Sequence, residues 1–312
     1  MPDKRSELIS VCICTYRRPV MLARLLDSLA VQKTPSPWRF EVVVVDNDRS
    51  RSAHDAVAHA QNKYRNLEIN YAVEPRQGIA YARNHTVALA RGSLMAFIDD
   101  DEYAAPDWLD SLLCTLIETK ADAVLGPVVP YFPQKSKRWV MRSRIFERPS
   151  IESGTSLLSN ECRTGNALIA GAWLRCHRPE PFDARLSRSG GEDTDFFDRI
   201  SRAGAKFVWC AEAVVFEEVP INRQSLAFIV LRKFRASAVF WQLRAEGLPR
   251  IKRIGLVVVG ITAGIAFLVT GLIALPFSFE VGVKLLAKCA SGLGRIGLLH
   301  DFDIVAYGQS DG

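Results

Sequence analysis

Two phosphate-binding signatures are missing from this sequence. No GxGxxG follows its first apolar run and no GxxxxGK[ST] occurs anywhere, so neither the usual dinucleotide fold nor a P-loop is indicated. Cysteine supplies no framework either: the seven are scattered without a CxxC pair or a histidine at metal spacing, and their number is odd. They read as small buried residues of a protein in a reducing cytosol. Histidine is scarce, and His54, His59, His85, His177 and His300 fall into no catalytic spacing; structural or exposed roles are expected for them. The opening MPDKRSELIS has no apolar core, so it is not read as a signal peptide. Disorder is not indicated: 48% of the 312 residues are hydrophobic and 24% charged, enough for one large core or two modest ones.

One long uncharged run is present. Gly255 to Leu275, GLVVVGITAGIAFLVTGLIAL, carries no charge, and as a helix it would be about 30 Å long, the thickness of a bilayer core. A buried helix of a soluble domain is the alternative, but cores seldom need an apolar surface all round. The formal charge of +6 is unevenly spread: residues 223–253 hold eight Arg or Lys against Glu246 alone. Beside an apolar run, such a stretch is expected to meet anionic lipid on the cytoplasmic side rather than nucleic acid. Past Leu275, Lys284, Lys288 and Arg295 interrupt the apolar residues too often for a second clean span, and an amphipathic interfacial tail over 276–312 is expected. Two topologies suit these charges: a single span with a periplasmic tail, or a re-entrant hairpin kinked at Gly271 and Pro276.

The first hundred residues alternate. LISVCICTY, FEVVVVDND, LEINYAVEP and SLMAFIDDD read as strands, and PVMLARLLDSLAVQ, SAHDAVAHAQNKY and GIAYARNHTVALARG between them have helical spacing. The pattern predicts an α/β protein with a mostly parallel twisted sheet and helices on both faces. Ligands of such sheets lie beyond the carboxyl ends of the strands. Three of those ends carry Thr15-Tyr16-Arg17, Asp46-Asn47-Asp48 and Asp99-Asp100-Asp101, so one cleft collects them.

The DDD run is the most pointed of these. Three adjacent carboxylates and Glu102 repel one another, and something positive is expected beside them. A helix cap would need one carboxylate. Three suit Mg²⁺ or Mn²⁺, which takes one or two protein carboxylates and completes its shell with substrate phosphates.

SVCICTYRRP, VVVVDND, GIAYARNHTVALARGSLMAFIDDDE, TGNALI and GGEDTDFFDRISRAGAKFVWCAEA, in this order and spacing, resemble the inverting family 2 glycosyltransferases of GT-A fold. Within them the match is closest to bacterial exopolysaccharide glycosyltransferases of the succinoglycan ExoM-like type. The resemblance covers about residues 8–225. It implies a GT-A catalytic domain over 1–225, followed by a basic juxtamembrane segment (226–254), a transmembrane or re-entrant helix (255–275) and the tail (276–312). It also implies that Thr15, Tyr16 and Arg17 line the base and ribose, with Gly78 part of the nucleotide site and Arg83 approaching the same nucleotide. Asp46 would accept from the uracil ring NH. Asp48 stands where many relatives have a small residue, so it either shares that contact or merely turns the chain. Asp99 and Asp100 would hold the ribose or support the metal, and Asp101, with Asp99, would coordinate it.

In the ED pair, the resemblance makes Asp193 the general base, with Glu192 beside it, and leaves Asp195 as a helix-terminal charge. The stretch VVFEEVPINRQS has no histidine, so Glu217, Glu218 or water is left as a third metal ligand and Arg223 as a phosphate contact. The middle segment offers Tyr131, Trp139 or Trp173 to a saccharide and Lys135, Lys137, Arg138, Arg142 or Arg144 to a lipid diphosphate, or is a mobile loop over the cleft. The expected partners are a UDP-sugar, a saccharide acceptor carried on polyprenyl diphosphate, and the inner-membrane lipid at the cytoplasmic face. The competing class is a nucleotidyltransferase-like or non-catalytic nucleotide-sugar-binding protein, for which an acceptor base at 193 has no use.

Overall fold

The computed structural model describes residues 7–299 except 149–150, 177–179, 188 and 246; His177, His300 and the end of the predicted tail lie outside the described residues. The chain forms two compact units, one of residues 1–129, 148–188 and 192–217, the other of 130–147, 189–191 and 218–312.

In the first unit the strands are β1 (Leu8–Thr15), β2 (Arg39–Asp46), β3 (Ile69–Val73), β4 (Leu94–Ile98), β5 (Glu102–Ala104), β6 (Ala123–Leu125), β7 (Val128–Tyr131, which leads into the second unit), β8 (Asn166–Ala170), β9 (Phe207–Trp209) and β10 (Val215–Glu218). The helices that position the site are α1 (Pro19–Leu29), α2 (His54–Lys63), α3 (Ile79–Leu89), α4 (Trp108–Thr119) and, later in the chain, α7 (Glu192–Arg202). Seven strands form one sheet in the order β3-β2-β1-β4-β8-β6-β9. All neighbours run parallel except β8, which is antiparallel to both β4 and β6. The expected mostly parallel sheet is thus present, with one reversed strand. A short antiparallel pairing of β5 with β10 sets Glu102 opposite Glu217.

Sequence and packing agree closely here. β2 reads as a continuous apolar run because Val42 to Val45 are buried on both faces, as a sheet covered by helices requires. α1 starts on Pro19, whose missing N–H costs nothing at that position, and buries Leu22, Leu25, Leu26 and Leu29 at helical spacing. β1 lies between β2 and β4, so the chain order reverses at its carboxyl end and a crevice opens there. At the other end of the sheet, buried Glu41 is fully answered: Ser10 Oγ donates at 2.6 Å, Asn70 Nδ2 at 3.1 Å, and the Arg91 backbone N–H and Nε at 2.9 and 2.7 Å. That carboxylate holds elements together and has no capacity left over.

The second unit contains α5 (Arg138–Ser143), α8 (Leu226–Arg244), α9 (Arg250–Ala274) and α10 (Phe279–Leu293); α6 (Gly171–Arg175) belongs to the first. α9 and α10 pack antiparallel through glycines. A Cβ on Gly260 would meet the Gly292 carbonyl at 2.5 Å, and one on Gly271 would touch Leu286 at 3.2 Å. α8 joins them through Ser237 Oγ, which donates to the Ser291 carbonyl at 2.6 Å. Among the described residues α9 is the one helix long and apolar enough to cross a membrane.

Candidate active site

The positive partner of the DDD run is Arg18, just before α1. Its Nη1 donates to Asp100 Oδ1 at 2.9 Å and Asp101 Oδ2 at 3.1 Å. Thr15, at the end of β1, donates through Oγ1 to the other oxygen of Asp100 at 2.9 Å. Burial is the largest influence on Asp100, and despite the opposing pull of Arg18 its pKa is pushed up to about 6. Arg18 keeps 40% of its side chain exposed, so it can leave these carboxylates without unpacking a core. The TYRRP motif contained this residue, and the need for a cation beside three carboxylates was the signal that could have singled it out.

A second guanidinium links two distant parts of the chain. Arg83, on α3 and buried, pairs through Nη1 with Glu192 Oε1 and reaches Asp99 Oδ1 through Nη2 at 3.5 Å. The DDD run and the first turn of α7 are thereby joined. Asp99 retains 45% side-chain exposure while protein walls surround it, the condition of a group lining a concave site. Desolvation raises its pKa; Arg83 opposes this, and the charges of Asp101 and Asp193 add to it. Glu102 is buried beneath, accepting the Asp99 N–H at 3.1 Å, and burial lifts it well above the usual carboxylate range. Gly165 of the TGN motif makes room for both: a Cβ there would lie 3.1 Å from Asp99 Oδ2 and from Glu102 Oε1. Its neighbour Asn166 is structural, accepting from Trp108 Nε1 at 2.8 Å and donating to the Ala213 carbonyl at 2.7 Å.

Glu192 is buried and its Oε2 accepts no hydrogen bond. Burial, opposed by Arg83 and assisted by Asp193, pushes its pKa up to about 7. Because the folded state then holds the proton more tightly than the unfolded chain, the stability contributed by Glu192 is fully present below the ordinary glutamate range and is lost as pH rises through about 7. Glu192→Gln cannot titrate, so its melting temperature relative to wild type should climb between pH 5 and 8. A difference that stays flat over that range in calorimetry would contradict the raised value. Asp193 is only half-buried, and the hydrogen bonds it accepts come from Thr194 next to it, the backbone N–H at 2.7 Å being the closer.

Other expected site residues lie elsewhere or face inward. Asp46 is fully buried; its Oδ1 takes the Asp48 N–H at 3.0 Å, and its Oδ2 takes the Ala53 N–H at 2.8 Å and Tyr71 Oη at 3.0 Å. This corrects the expectation of a uracil contact: the carboxylate is consumed in fastening the turn after β2. Asp48 shapes the same turn by accepting from Ser50 N–H and Oγ at 3.1 and 2.7 Å, and it pairs with Arg17 Nε at 3.0 Å. Arg17 has φ +54, uncommon for a side-chain-bearing residue, and its guanidinium lies 5.1 Å from the centre of the Tyr16 ring. Gly78 has φ +143 and a Cβ there would strike Ser187 Cβ at 2.4 Å, while its N–H donates to Asn47 Oδ1 at 2.8 Å. That glycine is required by close approach of two backbones. Asp195 is spent on Arg199 at 2.8 Å. Trp173 donates to Asp122 at 2.8 Å and packs against the core, so it is a wall rather than a saccharide platform. Glu218 and Arg223 belong to the second unit.

No group of three or more metal-ligating side chains forms a ready cage among the described residues. The donor set that is present, an open Asp99 and an Asp101 held by a displaceable arginine, fits a hard divalent ion bound through one or two carboxylates, with phosphate oxygens completing the shell. A separate hollow bounded by Glu74, Arg76, His85, Arg175 and Glu180 collects none of these carboxylates, so the strand-end cleft is the candidate site on chemical grounds.

A mostly parallel sheet that gathers an acidic run and an ED pair at its strand ends is the GT-A architecture of nucleotide-sugar transferases. Residues 10–174 match the Glycosyl transferase family 2 profile, so the chain belongs to that family and is a glycosyltransferase. Over 245 residues it is 40% identical to the succinoglycan biosynthesis protein ExoM of Rhizobium meliloti (strain 1021), covering 76% of this chain and 75% of that protein. It is 23% identical to the hyaluronan synthase of Pasteurella multocida, of which it spans 26%. Among solved structures, the mannosyltransferase PcManGT from Pyrobaculum calidifontis in complex with GDP-Man and Mn²⁺ aligns with a TM-score of 0.58 at 19% identity, covering 96% of this chain and 75% of that one. S. aureus TarS in complex with UDP-GlcNAc gives 0.54 at 15%, covering 90% of each. At these identities the structural likeness is one of fold.

Proposed function

We propose that this chain is a membrane-associated, inverting glycosyltransferase that moves a sugar from a UDP-sugar to a hydroxyl of a lipid-linked saccharide at the cytoplasmic face of a bacterial inner membrane, in the synthesis of an exopolysaccharide or related surface glycan. The observation that carries this reading is the junction made by Arg83, which brings the DDD carboxylates and the ED pair to one set of strand ends. Asp193 takes the proton of the acceptor hydroxyl. That oxygen forms its bond to the anomeric carbon on the face opposite the donor's diphosphate, while the bond from that carbon to the diphosphate oxygen breaks and its electron pair leaves with UDP. One displacement inverts the anomeric centre. A divalent ion, Mg²⁺ or Mn²⁺, held at Asp99 and Asp101, would offset charge on the departing diphosphate when bound. Thr15, Tyr16, Arg17 and Gly78 would border the nucleotide, and Arg18, once released from Asp101, is in reach of a phosphate.

The relationship to a succinoglycan biosynthesis protein supports a polysaccharide product, and a fold shared with a UDP-GlcNAc complex and a Mn²⁺ complex supports the donor and the metal. Membrane association rests on α9 and the basic residues before it. Detergent extract of the full chain should release UDP from one UDP-sugar when lipid-linked oligosaccharide is supplied, and NMR of the product should show the inverted anomer. A retained anomer would overturn the mechanism, and no release from any UDP-sugar would overturn the donor.

A further inference from the structure

Resting on the membrane reading just given, we infer that α9 does not cross the bilayer. It lies in the plane of the membrane surface, its outward stripe in the acyl layer and the basic side chains of α8 and α10 at the lipid phosphates. The two faces of α9 are distinct. Val257, Gly260, Gly264 and Gly271 are buried, and the three glycines pack on α10. Val258, Ile265, Leu268, Val269 and Leu272 point outward and are exposed. The outward side is apolar and the opposite side is taken up by α10, so α9 can meet lipid along its outward side.

The levels of the charges decide between the arrangements. α8 and α10 run in the same direction, since Ser237 bonds to Ser291 and Gln242 to Gly297. The next residue, Gly292, lies against Gly260 and Gly264, so Ser237 is level with that part of α9. Lys288 Nζ lies 5.5 Å from the ring centre of Phe267. Arg232, Lys233 and Arg235, two to five residues before Ser237, are therefore level with the central part of α9, against which Lys288 lies, and all four are exposed. A span would hold these four within the hydrocarbon layer, where a charge is heavily penalised. A re-entrant hairpin meets a second obstacle at its tip. Trp139 of α5 packs edge-on to Phe279 at 5.2 Å, which brings the exposed Arg138 and Arg142 to the end that would be buried deepest. Lying flat, none of these groups has to enter the hydrocarbon layer, and anionic phosphates attract them at the surface.

The test uses full-length protein in phosphatidylethanolamine vesicles containing phosphatidylglycerol. Nitroxide labels are placed singly through Val258→Cys, Ile265→Cys and Ile273→Cys in a Cys176→Ser background, and depth is read from collisions with oxygen and with a nickel chelate. An in-plane helix gives three depths that agree within a few ångströms, with all three labels in contact with lipid. Residues 258 and 273 are separated by about 22 Å along a helix, so depths that step from 258 to 273 across that distance would overturn the inference while keeping the anchor. If no label met lipid, the membrane reading itself would fall. As a second arm, neutralising Arg232, Lys233 and Arg235 to Gln should weaken partition onto the anionic vesicles by roughly fivefold per charge at low salt; unchanged partition would remove the headgroup contact from the proposal.

Discussion

Asp193→Asn should lower sugar transfer by about 10²–10⁴-fold while donor binding persists, the range that a single general base is worth. The substitution keeps the shape of the side chain and the acceptor oxygen that receives the Thr194 N–H at 2.7 Å, so the first turn of α7 should stay closed. What disappears is the proton acceptor. Of the two acids in this turn, Asp193 is half-buried, whereas Glu192 is buried and engaged by Arg83. The base must meet a hydroxyl that arrives from solvent, and this favours Asp193. UDP titration by calorimetry and acceptor-dependent turnover on the same preparation separate the two properties. Near-normal turnover by Asp193→Asn together with a dead Glu192→Gln would exchange the roles.

Asp101→Ala is expected to reduce transfer by about 10³-fold or more, because stabilising charge on a leaving diphosphate is worth several kcal/mol. The fold should survive. Asp101 is surrounded by like charges, and Arg18 and Thr15 retain Asp100 at 2.9 Å after it is removed, so deletion relieves repulsion without orphaning a cation. Loss of Mn²⁺ binding, followed by electron paramagnetic resonance in the presence of UDP, should accompany the loss of rate, and excess chelator should reproduce it in the wild type. Full activity in chelator would sink the metal assignment whatever the variant does.

Much of the catalytic unit was legible in the sequence because its signals are local. The apolar runs at β1, β2 and β4 and the helical spacing of α1 and α3 are short-range patterns, and all recur where expected. β8 was not foreseen as an antiparallel insertion, since pairing direction depends on the path of the chain and leaves no mark in NALIA itself. Asp46 shows the same limit at the scale of one residue. A strand-end aspartate reads alike whether it faces a ligand or fastens a turn, and the donors that settle the matter, from Ala53 and Tyr71, belong to other elements.

By itself the sequence determined the alternation of strands and helices, the family, and the clustering of carboxylates at strand ends, because periodicity and charge density are properties of neighbouring residues. Tertiary structure alone decided which charge answers which. Arg18 meets Asp100 across 82 positions and Arg83 meets Glu192 across 109, and no local pattern encodes such pairs. It also decided the level of Arg232, Lys233 and Arg235 along the length of α9. An apolar run reads as a span on length alone, and only helix packing shows which charged side chains share its level.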